Sequence, residues 1–306
     1  MTASAPPAAF NSASGSSYEP FWPLDAVRGL FNDGTKVCMS IGGQNDTIGF
    51  SNGAASSVSR KLYAKNVAAT VERLGYDCVD IDWEYPTGEE MGNYLLLLSE
   101  MKATLGKKEL STVVPGRLDD MAAFNTQHVW NISRIVDFVN VAAFDLVGPR
   151  DNLTNHHSSF KDSKAVINSY IELGMPPPKM TLGFGLAVRW YKTQTGVSCT
   201  GPKDCARDSA KTHGKSNVEM KSFTSNPALS NAIENGYLDT AEGAHWYWDA
   251  KSSMLFSWDN TTSIEWKFQS TVEFLGLGGV SVWSLCEDGF QFARLQAIQR
   301  GMETLT

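Results

Sequence analysis

The sequence predicts an α/β protein built on a parallel sheet of the barrel type. Three observations lead there. From residue 35 onward, short apolar runs alternate with stretches of helical spacing, the pattern of strands returned to one sheet by covering helices. The chain has 306 residues, which is long for most single domains and normal for an α/β barrel. Residues 76–86 read Tyr-Asp-Cys-Val-Asp-Ile-Asp-Trp-Glu-Tyr-Pro, where acids and apolar residues alternate with the period of a strand.

The elements follow in order. Residues 35–42 form an apolar run that ends in Ser40-Ile41-Gly42-Gly43. Residues 57–74 place Val58, Leu62, Val67, Val71 and Leu74 at near-helical spacing. The acidic strand occupies 77–84, and Pro86 ends it. A helix is expected over 92–105. Strands at 110–115 and 137–145 flank helical sequence at 121–136. A helix over 164–173 stops at Gly174, and the next strand is 179–186. Residues 192–250 break the rhythm: they are polar and rich in Gly, Ser, Lys and Asn, an excursion before the next helix at 263–275. A strand at 278–283 and a closing helix at 291–302 complete one domain over 1–306, with 192–250 as a short insertion subdomain within it.

The acidic strand carries the chemistry. Asp80, Asp82 and Glu84 share one face, and Val79, Ile81 and Trp83 share the other. Acids two residues apart on one face lie roughly 6–7 Å apart, so they repel one another and at least one should keep its proton near neutral pH. A carboxyl that keeps its proton can serve as a general acid. Glu84 falls at the carboxyl tip, the end at which barrels place their active sites. A solvated strand face and a divalent-metal site are the competing readings. Against them stand the bulky apolar residues on the opposite face, the glycine-rich strand end one unit upstream, and the lack of a second acid or histidine cluster at ligand spacing. His156-His157 reads as a solvated loop pair.

These residues resemble the chitinases of glycoside hydrolase family 18. The family's Asp-x-x-Asp-x-Asp-x-Glu is met by Asp77, Asp80, Asp82 and Glu84, and its Ser-x-Gly-Gly by Ser40, Gly42 and Gly43. Its Tyr-Asp at the sixth strand corresponds to Phe144-Asp145, and its last-strand Trp to Trp283. The motifs fall in family order over residues 20–300. The resemblance implies a (β/α)8 TIM-type barrel with its insertion between strand seven and the following helix. Two strands should precede Ser40; the sequence offers one remnant near 8–11 and nothing for the first. The barrel is therefore expected to be incomplete at its amino-terminal end.

By the same resemblance, the chain hydrolyses β-1,4-linked N-acetylglucosamine polymers with retention, using the substrate's own acetamido oxygen as nucleophile. Glu84 is then the general acid and base, Asp82 holds the acetamido N–H, Asp80 shares a proton with Asp82, and Asp145 meets the sugar or Glu84. Trp283 forms the apolar floor. Phe144, Tyr85 and Gln44 are further candidate substrate-binding residues, and Ser40, Gly42 and Gly43 give structural support. Arg150, in the loop that follows Asp145, is a candidate for sugar hydroxyls, the alternative being a surface ion pair with Asp151. No metal or organic cofactor is implied. The departures from the family pattern are Phe144 for Tyr, Gln44 for Trp, Ala142 for Met and Ala187 for an aromatic. They leave the acid row intact and thin the sugar-positioning shell, so the alternative is a catalytically weakened, lectin-like binder of chitin oligosaccharides.

Composition narrows the partners. Net charge is −7 with no long basic run, which argues against nucleic acid, and no apolar run reaches membrane-spanning length. An acidic chain with nine tryptophans suits a neutral polymer such as chitin or chito-oligosaccharides, bound by a monomer. Sequons at Asn45, Asn131, Asn152 and Asn260 favour secretion to the extracellular space, although residues 1–9 do not read as a signal peptide. Cys199 and Cys205 bracket a short loop and read as a local disulfide, the alternative being two free thiols. Cys38 and Cys78, on neighbouring expected strands, read as buried packing thiols, and Cys286 has no evident mate.

Overall fold

A computed structural model of the chain describes residues 4–148, 151–208, 213–216, 227–289 and 291–305. Among the described residues one sheet has six strands, in the order β1 (Cys38–Gly42), β2 (Cys78–Asp82), β3 (Glu109–Pro115), β4 (Phe138–Ala142), β5 (Met180–Gly185) and β11 (Gly279–Trp283), and a second has five, in the order β7 (His213–Ser216), β6 (Val188–Lys192), β10 (Met254–Trp258), β9 (Ala244–Asp249) and β8 (Tyr237–Asp239). The barrel-type parallel sheet thus has six strands among the described residues, against eight in a full barrel. The chain packs as two compact units, one of Met1–Asn140 with Tyr170–Met180, the other of Val141–Ser169 with Thr181–Thr306.

The first unit contains the short helix α1 (Leu24–Arg28), strand β1 (Cys38–Gly42), helices α2 (Ile48–Ala54) and α3 (Ser57–Leu74), strand β2 (Cys78–Asp82), helix α4 (Met91–Leu105), strand β3 (Glu109–Pro115) and helices α5 (Leu118–Met121) and α6 (Thr126–Ile135). Strand β4 (Phe138–Ala142) begins in this unit. Helix α3 is bounded by sequence chemistry: Ser56 and Ser59 form a reciprocal capping box, and Gly75 takes the left-handed conformation at φ 81° that ends it. The helical stretch expected over 121–136 is two helices, because Asn125 caps α6 afresh by accepting from His128 N–H.

Strands β1, β2 and β3 are parallel and in tight register, with Ser40 opposite Asp80, Gly42 opposite Asp82, and Asp80 opposite Ser111. Carboxylates pin their starts. Asp77 accepts from Val37 N–H at 2.8 Å and pairs with Arg28, while Asp137 accepts from Leu110 N–H at 2.7 Å and pairs with Lys102. Behind β2, Trp83 is 1% exposed, stacked on Phe50 of α2 with centroids 5.2 Å apart and meeting Tyr94 of α4 edge-on.

Two expectations need correction in this unit. Residues 8–11 do not form a strand remnant: Pro7–Phe10 is a 3-10 turn, and Ala5 makes an isolated parallel bridge opposite Ile41 of β1. Cys38 and Cys78 are not packing thiols. They face each other across β1 and β2, 4.4 Å apart at Cα, and are joined as a disulfide. Equal height on adjacent parallel strands brings the sulfurs together, and Cys38 is exposed rather than buried.

The second unit continues from β4 with helix α7 (Phe160–Glu172), which shares its last residues with the first unit, as strand β5 (Met180–Gly185) shares its first. Five strands follow: β6 (Val188–Lys192), β7 (His213–Ser216), β8 (Tyr237–Asp239), β9 (Ala244–Asp249) and β10 (Met254–Trp258), with helix α8 (Pro227–Asn235) between β7 and β8. They form the antiparallel sheet, so the excursion expected over 192–250 is wider by a strand at each end. One of its faces packs Val188, Phe256 and Trp258 on Leu229 and Ala232 of α8. The other packs Tyr191 and Leu255 on Val147 and on Cys199 and Cys205, which are bonded to each other. Helix α9 (Thr261–Lys267), capped by Asn260, runs into a wider turn over Phe268–Glu273. Strand β11 (Gly279–Trp283) pairs in parallel with β5, and helix α10 (Ala293–Glu303) closes the chain.

The Cys38–Cys78 bond spans a sequence separation of 40. Closing a loop of that length restricts the unfolded chain by an amount worth about 4 kcal/mol. The double variant Cys38→Ser/Cys78→Ser should lose about 2–4 kcal/mol in urea unfolding. A loss below about 0.5 kcal/mol would show that the bond constrains little beyond what β-sheet register already fixes.

Candidate active site

The acid row begins with Asp80 at the centre of β2. Its neighbours in register supply donors: Ser111 Oγ at 2.6 Å and Ser40 Oγ at 3.3 Å, with Asn140 Nδ2 from β4 at 3.1 Å. Burial pushes the Asp80 carboxyl above its ordinary range, while these three donors pull it back. Asp82, one strand repeat further, is 4% exposed. Its Oδ1 is buried and makes no hydrogen bond among the described residues. Burial, the charges of Glu84 and Asp80, and a hydrogen bond with Glu84 push the Asp82 carboxyl up to about 8. Glu84 lies just past the strand, whose last residue is Asp82, and the Glu84–Tyr85 peptide bond is cis. Burial and the charges of Glu84 and Asp82 raise the Tyr85 phenol well above its usual value, so it remains an O–H donor.

The end of β1 is shaped to fit this row. Gly42 has φ 107°, and a Cβ there would fall 2.2 Å from the Asp82 carbonyl oxygen and 2.7 Å from the Phe50 ring. Gly43 has φ 112° and donates its N–H to Asp82 O at 2.8 Å. Only glycine meets both demands. Gln44 follows on an exposed turn.

In the second unit, Asp145 stands three residues past the end of β4 with φ 56°, a left-handed conformation uncommon for a residue with a side chain. Arg189 of β6 clasps it through Nε and Nη2, one to each carboxylate oxygen. His157 Nδ1 lies 3.4 Å from Oδ1. Burial alone would raise the Asp145 carboxyl, but His157 and Arg189 outweigh it and hold the group well below the usual range. Phe144 packs on the glycines of β5: a Cβ on Gly183 or Gly185 would come within 2.9 Å of it. Gly185 is the register partner of Trp283, whose indole is 47% exposed at the end of β11. Arg150 lies outside the described residues.

Several participants escape sequence reasoning. Ser111, Asn140 and Arg189 are polar residues within apolar strands, and that interruption is the one signal each leaves. His156 and His157 are fully buried rather than solvated. His156 meets Ser257 and Asp239, and burial lowers its pKa to about 4. No group of three or more His, Cys, Asp or Glu suited to a metal occurs among the described residues.

A parallel α/β framework with carboxylates at and beyond its strand ends is that of a barrel-type protein. The chain belongs to the glycosyl hydrolases family 18, whose family model matches residues 7–288. It is 26% identical to Chitinase A1 of Niallia circulans over 84% of this chain, and 25% identical to Chitinase 1 of Aphanocladium album over 82%. It spans 41% of the first relative's length and 62% of the second's. Among solved structures, a chitinase from Rhizomucor miehei shares the fold with a TM-score of 0.79 at 21% identity, over 98% of this chain and 93% of that one. A class V chitinase mutant from Cycas revoluta in complex with (GlcNAc)3 gives a TM-score of 0.74 at 24% identity, over 91% of this chain and 83% of that one.

Asp82 makes stability depend on pH. Its folded value of about 8 exceeds the ordinary value of 3.8, so the folded chain holds a proton that the unfolded chain releases in between. The stabilisation is complete below the unfolded value and is lost as pH rises through the folded one. Melting temperature should fall between about pH 4 and 8, and Asp82→Asn should flatten that fall. An unchanged slope in the variant would contradict the assignment.

Proposed function

We propose that this chain hydrolyses β-1,4-linked N-acetylglucosamine oligomers or polymers with retention of configuration, with Glu84 as the general acid and base. The observation that carries the reading is the state of Asp82: a buried carboxyl that keeps its proton to about pH 8, with one oxygen unpartnered beside Glu84. A buried polar atom left without a partner costs free energy, and an incoming amide N–H relieves that cost. The acetamido N–H of the sugar is such a group.

In the first step Glu84 gives its proton to the glycosidic oxygen as the C1–O bond breaks. The acetamido carbonyl oxygen of the same sugar attacks C1 and forms an oxazolinium ion. The Asp82 carboxylate accepts the acetamido N–H, with its proton shared toward Asp80 as the positive charge develops. Glu84, now a carboxylate, then takes a proton from water, whose oxygen attacks C1 and reopens the ring. Two inversions at C1 give net retention. Contact of Asp145, Trp283, Phe144, Tyr85 and Arg150 with the sugar is part of the same proposal. The relatives named as chitinases and the (GlcNAc)3 in the Cycas revoluta structure support the substrate class. Two disulfides support an oxidising, extracellular setting.

A weakened, oligosaccharide-binding protein is the second reading, and Phe144 favours it. The family's Tyr hydroxyl at this position orients the acetamido oxygen, and Phe144 has none. Loss of one such hydrogen bond is worth about 1–3 kcal/mol, or roughly tenfold to a hundredfold in rate.

A fluorogenic chitotrioside assayed across about pH 4–8 separates the readings. Turnover by the native chain that Glu84→Gln lowers by about a thousandfold or more is the expected result. Folded protein that binds the trioside without cleaving it would support the binder instead. Phe144→Tyr should raise kcat by about tenfold, and an unchanged kcat would remove the missing hydroxyl as a cause of slow turnover.

A further inference from the structure

The turn that carries Asp145 is held by a buried polar chain that the proposed reaction does not use. His157 is fully buried against the backbone of this turn. Its carbonyl accepts from Leu146 N–H at 2.9 Å, and its Nδ1 lies 3.5 Å from Asp145 N and 3.4 Å from Asp145 Oδ1. The other ring nitrogen, Nε2, lies 3.2 Å from Ser158 Oγ. Ser158 donates its hydroxyl to Asp259 Oδ2 at 2.9 Å, and Ser263 donates to Oδ1 at 2.8 Å. Lys267 Nζ pairs with Asp259 at 2.5 Å and also donates to the Ser158 carbonyl. Ser158, Asp259, Ser263 and Lys267 are all buried.

The hydrogens along this chain can be placed. A carboxylate paired with an ammonium only accepts, so the Ser158 hydroxyl hydrogen points to Asp259. Ser158 Oγ then offers a lone pair to His157 Nε2, which must carry a hydrogen. Nδ1 is left to serve Asp145. As a bare nitrogen it accepts the Asp145 N–H; in the imidazolium it donates to the carboxylate.

We propose that His157 is a positioning residue for Asp145, with its ring tautomer fixed by the buried Ser158–Asp259–Lys267 chain. The proposal rests on the role of Asp145 at the reacting sugar given above. It accounts for the backbone of Asp145, which sits at φ 56°, a region that disfavours a residue with a Cβ. Arg189 fixes the two carboxylate oxygens, while His157 meets the N–H groups of Asp145 and Leu146, one with its ring and one with its carbonyl. Together they leave the carboxylate one orientation. Positioning of this kind acts on the reaction step more than on ground-state binding.

The ring nitrogens of His157, observed by 15N NMR in the intact chain, test the tautomer without any need for turnover. A hydrogen on Nε2 is expected, and a bare Nε2 overturns the proposal. Kinetics test the positioning. His157→Leu should lower kcat on the chitotrioside about tenfold with little change in KM, and His157→Asn should recover most of that loss, since its amide reaches the position of Nδ1. Equal losses in the two variants, or none in His157→Leu, would also overturn it. Should His157→Leu fail to fold, Ser158→Ala frees the tautomer and should lower kcat about threefold with KM held, and an unchanged kcat counts against the proposal. Absent turnover in the native chain rejects the hydrolase reading, and the 15N result then decides the proposal alone.

Discussion

The register of three parallel strands is the constraint on which the acid row depends. A carboxyl at the centre of a sheet is costly unless donors meet it, and Asp80 meets them at its own height: Ser40 on β1, Ser111 on β3 and Asn140 at the next strand. A slip of one residue in β2 would turn Asp80 and Asp82 toward the helices and bring Ile81 to the acid face. It would also part the Cys38–Cys78 pair and remove Asp77 from the Val37 N–H. Fold and chemistry are therefore specified by the same alignment. The apolar half of β2 enforces it from behind, where Trp83 is stacked on Phe50 and fenced by Tyr94.

Along the strand the environment changes in steps of one repeat. Asp80 is satisfied by neutral donors and works as an anchor. Asp82 has lost those donors and gained an acidic neighbour, so its proton is held to about 8. Glu84 has left the strand. The step between the last two depends on Gly42, whose absent Cβ lets the chain pass against the Asp82 carbonyl. A side chain at that position would collide with the Asp82 backbone on one side and the Phe50 ring on the other.

What was legible in the sequence was local. The alternation over 77–84 marks β2 and its two faces, although the strand ends at Asp82, short of Glu84, and Ser56 with Gly75 bounds α3 at its expected ends. The acids, the glycines of β1 and the Trp of β11 are each readable within a few residues of chain. What was not legible joins distant segments. Arg189 reaches Asp145 across 44 residues, and Asp259 reaches Ser158 across 101. His156 looked solvated because its partners lie on β8 and β10, invisible to any window around residue 156. The Cys38–Cys78 bond could have been inferred from equal height on adjacent strands, but height becomes certain only when register is known.

The carboxylates of this protein are driven in opposite directions by their surroundings. Asp82 is buried beside other acids, and no cation figures among the forces on it, so it keeps a proton. Asp145 is buried beside Arg189 and His157, so it is held as an anion. Burial raises both, and the sign of the nearest charge decides the outcome. A group held as an anion by a clasped guanidinium is a poor proton donor and a good fixed charge. A group that keeps its proton beside an acid can release it as positive charge develops nearby, which is when a carboxylate is worth most. In the proposed reaction, proton handling belongs to the β2 row, and a fixed, oriented charge belongs to the Asp145 turn. A change at Arg189 that freed Asp145 to take up a proton would blur that division even with every acid of the β2 row in place.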